Sequence, residues 1–111
     1  GIESQDLHGV AAVRHRGAGV VAAVPALVRM VVAGRSDVEA AEALGQVARK
    51  ADTGDQVVAM LIEAAGDDAG APVRRRLAQA LAEIPGAVAR EVLTDLAADG
   101  EPSVAYTARA V

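Results

Sequence analysis

The stretch SDVEAAEALGQVARKADTGDQVVAMLIEAAGDDAG, residues 36–70, decides the fold class. Ser36 stands ready to cap the first free N–H groups of a helix, and Glu39, three residues on, can reach back to the cap's own N–H. From there Ala40, Ala43, Leu44, Val47 and Ala48 recur at helical spacing. Arg49 and Lys50 place positive charge at the C-terminal end, where the helix dipole favours it. The run from Lys50 to Asp55 reads as a turn. Residues 55–66 then form a second amphipathic helix with Val58, Leu61, Ile62 and Ala65 inward, closed by Gly66-Asp67-Asp68-Ala69-Gly70. The product is one α-hairpin.

The plan recurs to either side. Downstream, Pro72 sits where a first-turn proline is tolerated, and Val73, Leu77, Ala80, Leu81 and Ile84 make the apolar stripe. Pro85-Gly86 breaks the chain, residues 87–98 form another helix through Ala89, Val92, Leu93 and Leu96, and Asp99 to Pro102 breaks it again. Ser103 begins a last helix that runs to Val111. Upstream, residues 4–16 read as a poorer helix containing Gly9, and residues 23–33 as a better one with Pro25 in its first turn. The second helices of the pairs align: Leu27-Val28, Leu61-Ile62 and Val92-Leu93 fall at spacings of 34 and 31. In the first helices Leu44 and Leu81 are 37 apart, and Val73 and Val104 are 31 apart. A helical pair with this period predicts stacked hairpins, each unable to bury its apolar face alone.

Several of these segments resemble HEAT repeats: Val24-Pro25-Ala26-Leu27-Val28, Ala43-Leu44-Gly45-Gln46-Val47, and Asp68 through Pro72-Val73-Arg74 followed by Ala80-Leu81. The short bacterial HEAT-like type related to bilin-lyase repeats is the most similar, over residues 20–111. The resemblance implies an all-α fold, a short α-solenoid of about three hairpins in one domain over residues 1–111. Its approximate repeats are 4–34, 35–68 and 71–99, with a partial one at 102–111. It also implies a concave face lined by the second helices, where partners tend to bind. Arg29, Met60, Glu63, Arg90, Glu91, Thr94 and Asp95 are the candidate residues there. Family members often join an Asp in the loop between repeats to an Arg early in the next helix, as a ladder. Asp68 and Arg74 match that rung; Asp99 matches the Asp, but Ala105 stands six residues on. The function implied is a non-enzymatic scaffold that binds another protein. The alternatives are an accessory subunit or fragment of a bilin-lyase-like enzyme and, third, a nucleic-acid-binding HEAT-like domain.

Composition narrows the chemistry. Of 111 residues 27 are Ala and 17 Val, with no Phe, Trp or Cys and one aromatic, Tyr106. Base-stacking platforms, disulfides, zinc ribbons and thiol nucleophiles are therefore excluded. Eleven Lys/Arg against fifteen Asp/Glu leave a net charge of −4, and the middle third, residues 36–70, carries two cations and eight anions. That balance argues against nucleic acid as a partner. Residues 17–34 are apolar but only 18 long, with Pro25 and Arg29 inside, so a membrane span is not expected. The expected location is the cytoplasm.

Isolated features read as structural rather than chemical. His8 and His15 lie seven residues apart, about 10 Å along a helix, too far to share one metal ion. No metal or cofactor is implied. Gly17-Ala18-Gly19 lacks the strand, the third glycine and the Lys of a phosphate loop and reads as a linker. Arg74-Arg75-Arg76 could grip an anion, but its place near a helix N-terminus favours a ladder residue beside solvated charges. Glu91 and Asp95, four apart, read as a solvated face rather than an acid/base couple. Finally, Ala105, Ala108 and Val111 form a stripe on the last helix expected to lie uncovered, which would allow self-association through that end.

Overall fold

The computed structural model describes residues 23–111. The expected helix at 4–16, the glycine linker at 17–19 and both histidines lie outside them. The described residues form six helices and no strand: α1 (Val24–Ala33), α2 (Asp37–Ala51), α3 (Gly54–Ala65), α4 (Ala71–Leu81), α5 (Ala87–Ala97) and α6 (Pro102–Ala110). They pack into a compact body of 40 × 29 × 22 Å.

Each start and stop has a local cause. Prolines occupy the first turns of α1, α4 and α6, where a missing N–H costs nothing. Gly34 ends α1 at φ +72°, with its own N–H and that of Arg35 returning to the carbonyls of Val31 and Met30. The start of α2 corrects the sequence reading. Ser36 adopts a left-handed backbone (φ 46°, ψ 39°), and its hydroxyl makes no capping bond, so the expected box with Glu39 does not form. A capping hydroxyl is aimed at the first N–H groups by an extended backbone, which Ser36 lacks. Asp37 and Glu39 in the first turn and Arg49 and Lys50 in the last still complement the dipole. Ile84, expected on the stripe of α4, lies past the helix end, yet it remains 5% exposed because the chain turns back over the core.

Helices two apart in the chain touch one another: α1 with α3, α3 with α5, α2 with α4, and α4 with α6. Chain neighbours also touch, and α1 reaches α4. The core runs through all six helices, with Leu44, Leu61, Leu81, Val31, Val47, Val57, Val58 and Val104 almost fully enclosed. Between these, α2 presents Ala40, Ala41, Ala43 and Ala48, and α4 presents Ala78 and Ala80. Small side chains let backbones come close, and at two points the approach requires glycine. A Cβ on Gly45 would overlap the Glu83 carbonyl oxygen, and a Cβ on Gly54 would lie 2.5 Å from that of Pro85. The corner 83–86 between α4 and α5 thus seats its carbonyls against α2 and against the start of α3. Arg49 adds a 3.3 Å hydrogen bond to the Glu83 carbonyl, and Ile84 is buried beneath.

The last helix also departs from expectation. Ala105 and Ala108 are each 7% exposed, because α6 lies against both α4 and α5. The stripe expected to lie open is therefore covered at those two positions. Tyr106 on α6 and Val111 just past its end are large apolar side chains left exposed.

One buried polar atom in this body has no partner. The Thr53 hydroxyl, at the start of α3, is enclosed without a hydrogen bond. An N-cap threonine ordinarily contributes about 1 kcal/mol, whereas an enclosed, unbonded hydroxyl costs about 1–3 kcal/mol. Thr53→Val is therefore expected to raise stability by about 1 kcal/mol in urea titration. A loss of similar size would show that the hydroxyl is bonded in solution.

Candidate functional site

The candidate residues come from α1, α3 and α5, which lie side by side with α3 in the middle. Each helix turns one stripe to the core: Leu27, Val28 and Val31 on α1, Val57, Val58 and Leu61 on α3, Ala89 and Leu96 on α5. Helical periodicity then sends the remaining positions outward. Arg29, Glu63, Arg90, Glu91, Thr94 and Asp95 are exposed, and Met60 is half-buried against the core. All seven are thus on the surface of three adjoining helices. Met30 contributes further apolar area, half-buried, and Ile62, expected inward, is instead 44% exposed, because the buried stripe of α3 runs through Val57, Val58 and Leu61.

The face is a mixed one. Arg29 and Arg90 supply positive charge, and Glu63, Glu91 and Asp95 supply negative charge. The Thr94 hydroxyl donates to the Arg90 carbonyl at 2.9 Å, so it is engaged by its own helix. Glu91 and Asp95 are both open to solvent, and among the described residues no polar or charged residue is buried. Among the described residues no group of three His, Cys, Asp or Glu side chains could hold a metal ion, and no helix is long and apolar enough to cross a membrane.

The ladder residues are arranged differently from the sequence reading. Arg74 does not take Asp68, which is exposed; it takes Asp99, 25 residues on. Its Nε donates to one carboxylate oxygen at 2.9 Å and its second terminal nitrogen to the other at 3.1 Å. The remaining nitrogen of the fork donates to the Ala69 carbonyl. The geometry explains the choice. The backbone carbonyl next to Asp68 already satisfies the near side of the guanidinium, and the far side meets the α5–α6 loop. Arg74 therefore ties the loop before α4 to the loop after α5. Asp99 also accepts the Glu101 N–H at 2.9 Å, which shapes the turn into α6.

The hydrogen bonds from Arg74, then the Glu101 N–H, hold the Asp99 carboxyl below its ordinary range, and the same pairing raises Arg74. A carboxyl whose folded pKa is depressed stabilises the fold above its unfolded value, near 3.9, and loses that contribution as pH falls through the folded value. Asp99→Asn is therefore expected to be less stable than wild type at pH 7, with the gap closing below about pH 4. Thermal melts of both proteins from pH 7 to pH 2 read the effect. A gap independent of pH would mean that the carboxylate charge is not what Arg74 uses.

Arg76, two residues further along α4, has a role the sequence did not disclose. Its Nε donates to the Val31 carbonyl at 3.1 Å and one terminal nitrogen to the Val32 carbonyl at 2.7 Å. These belong to the last turn of α1, which has no basic residue of its own. The cluster of three arginines is thus divided, with Arg74 facing the α5–α6 loop and Arg76 facing the end of α1. The missing cation in the last turn of α1 is the signal that could have pointed to a donor from elsewhere.

Comparison of the chain with protein-family models, with curated proteins and with solved structures gives no match, so the face stands on its own geometry.

Proposed function

We propose that this chain is a HEAT-like helical-repeat module that binds a partner protein on a concave face built from the second helix of each repeat, α1, α3 and α5. The observation that carries the reading is that three helices, not consecutive in the chain, lie side by side and present a charged face with apolar points at Met60 and Ile62. The contacts between helices two apart are those a stack of hairpins would make, which supports a short solenoid. Mixed charge around a few apolar points suits a protein surface. The five charges on the face sum to −1, so a phosphate backbone gains little there.

Size sets the strength. Helices of 10, 12 and 11 residues are about 15–18 Å long and pack about 9 Å apart. They offer roughly 450 Å² to a partner, against about 800 Å² per side in a standard stable complex. A face of that size falls in the class of weak, transient contacts.

The test uses the full chain as bait in lysate of its source organism, beside a variant with Glu63, Arg90 and Glu91 reversed in charge. Circular dichroism establishes that both are folded. A protein captured by wild type, lost with the variant and bound in purified form at micromolar affinity supports the reading. Equal capture by both baits, or capture by neither, overturns it.

A further inference from the structure

We draw no further inference here: the strongest candidate, the surface patch on α6 where Tyr106 and Val111 stand exposed, is an apolar face, and nothing in the structure shows what covers it.

Discussion

Gly45→Ala is expected to destabilise the protein by about 2–3 kcal/mol, a steric loss that outweighs the helix-propensity gain. Alanine in place of a mid-helix glycine ordinarily gains about 1 kcal/mol, because glycine loses more backbone freedom on folding. Gly45 lies inside the fifteen-residue helix α2 and is buried. A Cβ there would overlap the Glu83 carbonyl oxygen, which is backbone and cannot rotate away. The corner 83–86 would have to lift from α2, drawing Ile84 from the core and straining the neighbouring contact at Gly54. Overpacking of this kind costs 1–3 kcal/mol or more, and an immobile obstacle places the cost at the upper end. For a body of this size the melting temperature should fall by roughly 10–15 °C. Gln46→Ala, an exposed change one residue along, should stay within about 0.5 kcal/mol and serves as the control. If Gly45→Ala melts at or above the wild-type temperature, the close seating of the corner on α2 is wrong.

Arg76→Ala should cost about 2 kcal/mol. The guanidinium donates twice to carbonyls at the end of α1, where a cation also meets the negative end of the helix dipole. Hydrogen bonds from a charged donor contribute about 1.5–3 kcal/mol, and solvent can recover part of that once the side chain is gone. Arg76→Lys keeps the charge but not the fork, so it should recover about half of the loss. Arg75→Ala, which removes no hydrogen bond observed among the described residues, should change stability by about 0.5 kcal/mol or less. The location of the effect is as diagnostic as its size. Hydrogen exchange should accelerate at the Gly34 and Arg35 amides, which close the end of α1 onto Val31 and Met30. Uniform acceleration across all six helices, with none concentrated at α1, would show that Arg76 is not a local cap.

Much of the architecture was legible because helix signals here are repeated and consistent. The expected helix at residues 55–66 is Gly54–Ala65, and that at 87–98 is Ala87–Ala97, since Gly66 and the Pro85-Gly86 break leave few alternatives. What escaped depends on distance along the chain. Ser36 and Glu39 carry the right side chains for a cap, yet the left-handed backbone at Ser36 takes the hydroxyl out of position. Nothing near Gly45 in the sequence marks it as a close approach, because the carbonyl that requires glycine there is 38 residues away. Asp68 was the nearer acid for Arg74, and only the fold brings Asp99 closer. Periodicity placed Arg29, Met60, Glu63, Arg90, Glu91, Thr94 and Asp95 away from the core, and they are exposed or half-buried, but it put Ile62 on the inward side, where the structure does not. Whether anything binds there was not legible, because exposed mixed charge has the same sequence signature either way.

The contact between Arg76 and the end of α1 also bears on synthesis. Its two partners lie 44 and 45 residues apart in sequence, whereas most contacts that finish a helix are local. A ribosome adding roughly 5–20 residues per second needs on the order of 2–9 s to travel from Val32 to Arg76. Through that interval the Val31 carbonyl has only the local Gly34 N–H and the Val32 carbonyl lacks its Arg76 donor, so a nascent chain released or stalled before α4 emerges carries an unfinished first helix. Long-range contacts of this kind are formed late and slow the folding of otherwise local helical proteins. The same arginine that closes α1 in the finished protein therefore leaves the end of that helix incomplete until α4 has left the ribosome.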